Sequence, residues 1–185
     1  MKDINKFRLF NKLKTTYRLN SVEKRKESVA EHGWSSLILA DYFMTKYDLK
    51  LDRLKVYELL MYHDVVEIVT GDTPLHPELK TTNKSEKEKE AVILLQKKLP
   101  EPLNNKFSKL FLEFEEQKTQ ESKFVKAIDA LDPVIHEMDY KQDWKGWSED
   151  FLLSKKLKFF EDFPELKKAF LEMLEYFKEN NYFNQ

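Results

Sequence analysis

The sequence predicts an all-α fold. Only three glycines and six prolines occur among its 185 residues, apolar residues recur every three or four positions almost throughout, and alternating β-branched runs are missing. No Gly-, Pro- or Ser-rich stretch divides the chain, which is long enough for one substantial hydrophobic core. We therefore expect residues 1–185 to form a single helical bundle of about six to eight helices.

Apolar periodicity places the candidate helices in order along the chain. They cover residues 3–14, 29–47, 51–70, 84–99, 103–118, 121–139, 148–160 and 164–181. The second helix has the clearest start, because Ser28 and Glu31 fit a capping box in which each side chain bonds the other residue's backbone amide. That start places His32 in the first helical turn.

Turn-forming residues separate the third and fourth candidate helices. Pro74 and Pro77 predict a loop, and the segment Thr81-Thr82-Asn83-Lys84-Ser85 is typical of a turn before a helix. The Lys/Glu-rich stretch that follows, residues 84–90, is expected to be a solvated helix face.

Overall composition argues against several classes of partner. Lys and Arg total 32 and Asp and Glu total 33, so we expect no nucleic-acid polymer as partner. The mean hydropathy is −0.66, and no apolar run approaches the roughly 18 residues of a membrane span, so we expect no membrane association. Because cysteine is missing and the first residues lack the apolar region of a secretory signal, the expected location is cytoplasmic.

Three ionisable groups interrupt the apolar helix predicted over residues 51–70. His63, Asp64 and Glu67 share one helical face with apolar neighbours such as Leu60 and Ile68, and that face should be buried. A divalent metal ion would offset the cost of burying carboxylates, whereas the alternative is a hydrogen-bonded His63–Asp64 pair in the core. Since adjacent helical residues diverge by about 100°, both reach one ion only from a helix that points partly end-on at it.

Two other segments carry similar side chains on faces that should be buried. His32 shares a face with Leu39, although a solvent-facing histidine in the capping turn is the alternative. Asp129 lies in an otherwise apolar run, and Pro133 removes the amide that would bond the Asp129 carbonyl, which predicts a kink or a helix end nearby. The alternative for Asp129 is a carboxylate that satisfies that helix end.

Together, His32, the pair His63-Asp64 and Asp129 resemble the H…HD…D signature of the HD superfamily of phosphohydrolases. The strings around them are more specific: ESVAEH from Glu27, YHDVVEIVTGD from Tyr62 and ESKFVKAIDAL from Glu121. They resemble the 5′-deoxynucleotidases of that superfamily, bacterial and eukaryotic, over residues 10 to 140. The resemblance implies a metal-site core in that range, with the C-terminal helices 148–181 packing on it.

The resemblance also implies an activity and a set of site residues. Its members are all-helical, usually homodimeric, and remove phosphate from deoxynucleoside 5′-monophosphates with a divalent metal ion. The implied metal ligands are His32, His63, Asp64 and Asp129, and the implied catalytic carboxylates are Glu67 and Asp72. Imidazole and carboxylate together suit Mn²⁺, Co²⁺, Fe²⁺, Zn²⁺ or Mg²⁺.

The two catalytic carboxylates have distinct expected roles. Glu67 lies one helical turn beyond His63 and Asp64, so we expect it to transfer the proton of the attacking water. Asp72 follows Gly71 at the helix end, where it would orient that water or protonate the leaving ribose oxygen. Without the resemblance, Asp72 fits a turn or capping residue equally well.

The segment before the second helix departs from the family pattern. In the deoxynucleotidases, an arginine that binds phosphate precedes a tryptophan that favours deoxyribose, whereas here the segment reads KTTYRL over residues 14–19. Among the basic residues Lys12, Lys14, Arg18, Lys24 and Arg25, we predict Arg18 as the phosphate-binding group. No tryptophan for sugar selection carries over.

Several aromatic and histidine residues stay outside the predicted site. Trp144 and Trp147 are expected to be core anchors, although a lid or a base-stacking role is the alternative. His76, between two prolines, is expected to be a surface loop residue, and His136 has no assigned role.

The leading prediction is thus a phosphohydrolase acting on a small nucleotide, a nucleoside 5′-monophosphate. A different HD phosphohydrolase, acting on a triphosphate, a cyclic nucleotide or an alarmone, is the second candidate, but a triphosphate needs several cations around the metal. A catalytically silent helical binding protein is the third.

Overall fold

The computed structural model of the chain describes residues 1–79 and 83–183. A β-hairpin lies between the first two helices, and its strands are β1 (Tyr17–Val22) and β2 (Arg25–Ser28). The helices are α1 (Lys2–Phe7), α2 (Val29–Lys46), α3 (Arg53–Tyr62), α4 (Glu67–Thr70), α5 (Lys84–Lys98), α6 (Leu103–Glu116), α7 (Gln120–His136), α8 (Glu149–Lys156) and α9 (Pro164–Glu179). The predicted all-α class is confirmed.

Most helix bounds lie close to the predicted ones because the local signals are strong. The capping box at α2 forms as predicted, with the Ser28 hydroxyl accepting from the Glu31 amide and the Glu31 carboxylate accepting from the Ser28 amide. Residues 8–14 continue α1 as a 3-10 helix. Of the predicted turn at 81–85, residues 81 and 82 lie outside the described residues, and α5 begins at Lys84 as expected.

The hairpin was not predicted. Its strands are antiparallel, with Val22 opposite Arg25 around a two-residue turn. Two backbone amides of the hairpin bond side chains far along the chain: Ser21 donates to Asp143 (2.8 Å) and Glu23 donates to the Tyr140 hydroxyl (3.0 Å). Because these partners are distant in sequence, no local sequence pattern predicts the hairpin.

The prediction of one continuous helix over residues 51–70 is wrong, because the structure divides this segment into α3 and α4. Between them, the Val65 amide donates to Tyr62 O (3.2 Å) and the Glu67 amide donates to Asp64 O (3.0 Å). These three-residue spacings tighten the chain relative to an α-helix. Because Val65 and Val66 are buried, the apolar pattern runs through the break and hides it.

Helix α7 lies at the centre of the core. It packs against α2, α3, α6 and α9. Phe124, Ile128 and Leu131 of α7 are fully buried, and Phe170 and Phe177 of α9 join the same apolar cluster. Consistent with the predicted effect of Pro133, α7 ends three residues beyond it. Within the described ranges, no helix is both long and apolar enough to cross a membrane.

Candidate metal centre

The turn between α3 and α4 positions His63 and Asp64 at a helix end. His63 follows the last residue of α3, so both side chains leave the helix terminus rather than its side. The side chain of His63 is buried, and its Nδ1–H donates to the Leu60 carbonyl (2.7 Å). This bond leaves Nε2 of His63 as the lone-pair nitrogen that faces Asp64.

Four side chains, from α2, α7 and the turn after α3, converge here. The Nε2 of His32 on α2 lies 3.2 Å from Asp129 Oδ1 on α7 and 3.7 Å from Asp64 Oδ2. The Nε2 of His63 lies 3.1 Å from Asp64 Oδ2 and 3.8 Å from Asp129 Oδ1. The structure therefore brings together all four residues predicted as metal ligands.

The geometry of this cluster fits a metal ion better than a satisfied hydrogen-bond network. Within the described ranges, His63 Nε2 and Asp64 Oδ2 are buried and neither makes a hydrogen bond, although 3.1 Å separates them. Ligand atoms that are each about 2 Å from one ion lie roughly 3 to 4 Å from one another, as these do. The alternative of a satisfied His63–Asp64 core pair is thus disfavoured.

His32 is held by a second carboxylate on α7. Its Nδ1–H donates to Asp132 Oδ2 (2.8 Å), and the Ser35 hydroxyl donates to the same oxygen (2.8 Å). His32 is fully buried, which excludes the solvent-facing alternative. This carboxylate fixes the imidazole so that Nε2 points toward Asp129 and Asp64.

The charges of the cluster favour cation binding. Burial and the Arg18 cation would each lower the pKa of His32, but the carboxylates of Asp129 and Asp132 raise it to about 9. Burial would raise the pKa of Asp64, but its proximity to His63 lowers it below its usual range. In this arrangement a proton on His32 occupies the position that a metal ion would take.

Arg18 reaches this cluster from β1. Its Nε–H group lies 3.2 Å from Glu27 Oε2, and its Nη1 lies 3.7 Å from Asp64 Oδ2. Burial alone would lower the pKa of Arg18, but Asp64, Asp72 and Asp129 raise it above its ordinary value. Of the basic residues considered before α2, only Arg18 both lies in the described part of the site and faces the predicted ligands.

Glu67 and Asp72 line the same cavity on the α4 side. Glu67 is buried, and no group within the described ranges bonds its Oε2. Burial, together with Asp64 and Asp72, raises the pKa of Glu67 to about 10. Asp72 follows Gly71, whose φ of 71° turns the chain out of α4, and burial raises the pKa of Asp72 as well.

A cavity of about 660 Å³ opens beside the cluster. Five lysines line it: Lys26, Lys84, Lys126, Lys145 and Lys156. Lys84 lies 3.6 Å from Glu88, Lys126 lies 3.2 Å from Asp129 Oδ2, Lys156 donates to the Ala130 carbonyl (2.7 Å), and Lys26 lies 4.0 Å from Asp143 Oδ1. Four of the five cations therefore already have an oxygen partner in the protein.

The prediction that residues 84–90 form a solvated face is wrong at one position. Glu88 is buried, whereas the other residues of this segment are exposed, including Lys84, which lines the cavity. The contact of α4 with α5 turns this end of the helix toward the site. A charged segment shows no local sign of such a contact.

The residues left unassigned divide into structural and cavity-lining ones. Trp144 is buried and donates from Nε1 to the Glu137 carbonyl (2.8 Å), which confirms it as a core anchor. Trp147 and His76 line the cavity, with their rings 5.8 Å apart. His136 Nε2–H donates to the Ser21 carbonyl (2.7 Å) and so helps to hold the hairpin.

Sequence reasoning missed Asp132 and Glu27, which hold His32 and Arg18. Asp132 shows the signal that drew attention to Asp129, a carboxylate in an apolar helical run, and it lies one turn further on. Glu27 stands next to the capping residue Ser28, in a strand that was not predicted. Its burial is visible only in the tertiary structure.

Comparison with known proteins identifies the family that the chain resembles. The HD domain family matches residues 10–167 of the chain. The 5′-deoxynucleotidase HDDC2 of Xenopus laevis is 32% identical over 148 residues, covering 79% of this chain and 72% of that protein. The human protein of the same name is 29% identical over 171 residues, covering 90% and 81%.

A solved structure extends the likeness to nearly the whole fold. A predicted metal-dependent phosphohydrolase from Magnetospirillum magnetotacticum MS-1 superposes with a TM-score of 0.84 at 28% identity. The match covers 97% of this chain and 92% of that one. It therefore includes the hairpin and the C-terminal helices as well as the cluster.

Proposed function

The chain belongs to the HD domain family, and we propose that it is a metal-dependent phosphohydrolase. In this proposal it releases phosphate from nucleoside 5′-monophosphates, and its preferred substrates are deoxynucleoside 5′-monophosphates. One observation carries the proposal. His63 Nε2 and Asp64 Oδ2 are buried and make no hydrogen bond in the described structure. His63 forms one cluster of possible ligands with His32 and Asp129, and Asp64 Oδ2 lies 3.1 Å from His63 Nε2 and 3.7 Å from His32 Nε2. The relatives named 5′-deoxynucleotidase support the choice of substrate.

We assign His32, His63, Asp64 and Asp129 as the ligands of one divalent ion. Imidazole and carboxylate donors accept Mn²⁺, Co²⁺, Fe²⁺, Zn²⁺ or Mg²⁺. When bound, such an ion polarises a phosphoryl oxygen and lowers the pKa of its water.

Arg18 binds the phosphate in this proposal. Its guanidinium offers several N–H donors in one plane, which suits two oxygens of a phosphoryl group. Glu27 holds the Nε side of Arg18 at 3.2 Å and leaves Nη1 facing the cluster. An arginine held in this way keeps its position while the substrate enters.

Glu67 and Asp72 transfer the protons. As water attacks phosphorus and the bond from phosphorus to the ribose O5′ breaks, Glu67 accepts the proton of the water and Asp72 donates one to O5′. The raised pKa of Asp72 suits an acid. Glu67 acts as a base once nearby positive charge lowers its pKa from about 10.

The second candidate, hydrolysis of a triphosphate, a cyclic nucleotide or an alarmone, draws support from the five lysines that line the cavity. A triphosphate needs several free cations, yet four of these five lysines lie close to a protein oxygen. We therefore favour the monophosphate.

Two further proposals concern the whole chain. We propose a single domain, residues 1–185, in which the C-terminal helices cover the metal-site core, since α9 packs on α7. We also propose a homodimer, supported by the exposed apolar side chains of Trp34, Ile38 and Tyr42, which are spaced four apart on α2. Light scattering after gel filtration checks the dimer. A cytoplasmic location stays a prediction.

Phosphate release tests the activity. Metal-stripped protein receives Mn²⁺, Co²⁺, Zn²⁺ or Mg²⁺ and a panel of ribo- and deoxynucleoside mono- and triphosphates. We expect metal-dependent release from monophosphates, a fall of about 10²-fold or more in kcat for Glu67→Gln, and loss of metal binding for Asp64→Asn. Glu90→Gln, an exposed change on α5, is the control. Release from none of the monophosphates would overturn the proposal.

A further inference from the structure

The substrate phosphate needs more positive charge than Arg18 supplies. At neutral pH the phosphate of a nucleoside 5′-monophosphate carries about two negative charges. Arg18 Nε lies 3.2 Å from Glu27 Oε2, and its Nη1 lies 3.7 Å from Asp64 Oδ2, so carboxylates of the protein already offset part of its charge. A second cation at the metal end of the cavity would therefore strengthen the binding of a phosphate dianion.

Three of the five lysines that line the cavity lie at the metal end, where the charge of Asp129 acts on each of them. Lys126 Nζ lies 3.2 Å from Asp129 Oδ2 and so pairs with a proposed ligand. Lys156 is buried and donates to a backbone carbonyl of α7 at 2.7 Å; burial lowers its pKa to about 8, and Asp129 acts in the opposite direction. Burial alone would lower the pKa of Lys84, but Glu88 and Asp129 raise it.

Lys84 is the least committed of these three lysines within the described ranges. Its side chain is 47% exposed although the residue lines the cavity. Its contact with Glu88 Oε1, at 3.6 Å, is longer than an ordinary hydrogen bond. The charges of Glu67 and Asp64 act on Lys84 as well, so its ammonium group lies toward the proposed metal centre. Because an ammonium group has three N–H donors, the contact with Glu88 leaves donors available to a ligand.

The fold holds Lys84 at this place through α5. Lys84 is the first residue of α5, and α5 packs against α4, the helix that carries Glu67. Glu88 lies one turn further along α5, is buried and also lines the cavity, so it marks the side of the helix that faces the site. Arg18, by contrast, belongs to β1. Two cations therefore reach the cavity from different elements of the fold.

The position of Lys84 is unfavourable for α5 itself. A cation in the first turn of a helix opposes the helix dipole, which favours negative charge there. In helix ion pairs four residues apart, an acid that precedes a base is more stabilising than the order found here, in which Lys84 precedes Glu88. A charged residue that opposes its own helix beside a cavity is typical of a functional site rather than of a helix-stabilising contact.

We propose that Lys84 is a second phosphate-binding residue, which contacts the phosphoryl group from α5 while Arg18 contacts it from β1. Glu88 is then a positioning residue that keeps the ammonium group beside the cavity. This arrangement makes Lys84 a determinant of affinity for the phosphate and not for the sugar or the base. The inference rests on the proposed function, since the same phosphate lies at the metal centre.

Binding of inorganic phosphate tests the proposal directly. Calorimetry in the presence of Mg²⁺ compares wild type with Lys84→Gln, Lys84→Arg and Lys89→Gln. We expect Lys84→Gln to raise the Kd of phosphate about tenfold, because one charge-assisted hydrogen bond is lost, and Lys84→Arg to retain the affinity within about threefold. Lys89→Gln is the matched control, because it removes the same charge from an exposed position of the same helix and should leave the Kd unchanged.

Steady-state kinetics separates this inference from the proposed function. Lys84→Gln should raise the KM for a deoxynucleoside 5′-monophosphate about tenfold. A purely structural role would instead lower the Tm and leave both the Kd of phosphate and this KM unchanged, which would overturn the inference while the activity stands. Phosphate binding that depends on Lys84, in a protein that hydrolyses no nucleotide, supports the second phosphate-binding residue and overturns the activity.

Discussion

Removal of the carboxylate behind His32 should weaken metal binding in steps. Asp132 Oδ2 accepts from His32 Nδ1 at 2.8 Å and also from Ser35, so Asp132→Asn keeps a neutral acceptor whereas Asp132→Ala removes the acceptor. Loss of the partner that orients a ligating histidine costs 10- to 100-fold in metal affinity. We expect about tenfold weaker binding for Asp132→Asn and nearly 100-fold, about 2.7 kcal/mol, for Asp132→Ala.

The assay is calorimetric titration of Mn²⁺ into chelator-stripped protein, with Asp139→Asn as a control that keeps the site intact. The titration is repeated at pH 7, 8 and 9, because Asp132 is among the carboxylates that raise the pKa of His32 to about 9, and its removal also weakens competition from the proton. At lower pH this second effect would hide part of the loss. Equal affinity in wild type, Asp132→Asn and Asp132→Ala would refute the idea that Asp132 orients His32.

Three further predictions concern sugar choice, pH dependence and the core. Leu19 lines the cavity beside Arg18, so Leu19→Trp should raise the ratio of kcat/KM for deoxy- over ribonucleotides about tenfold, by filling space beside the sugar; an unchanged ratio contradicts this. Burial raises the pKa of Glu137 from 4.5 to about 8, so the unfolded chain loses this proton first and stability falls as pH rises between these values. Denaturant unfolding should show that the free energy of unfolding of the wild type falls by about 1 to 4 kcal/mol more than that of Glu137→Gln between pH 5 and pH 8. An equal fall in both proteins would contradict this prediction. Phe170→Ala, fully buried on α9, should destabilise the chain by about 3 to 5 kcal/mol in one cooperative transition, whereas two separate transitions would contradict a single domain.

The helices could be predicted from the sequence because the residues that start and end them are local. The capping box at Ser28, the apolar spacing and the prolines all act within a few residues of the helix ends they determine. The hairpin over residues 17–28 lacked such a signal, since its amides bond Asp143 and Tyr140 more than a hundred residues away. The break after Tyr62 was hidden because buried valines continue the apolar pattern across it.

The all-α class, most helix bounds and the ionisable residues that lie on apolar faces could be predicted from the sequence alone, because apolar periodicity and the cost of burying charge act along one helix. How these residues meet depends on packing between elements. Packing between elements accounts for three features: the end of α3 before His63, the hydrogen bond from His32 to Asp132, and the ion pair of Arg18 with Glu27. The cavity has the same origin, because the residues that line it come from elements that are distant in sequence.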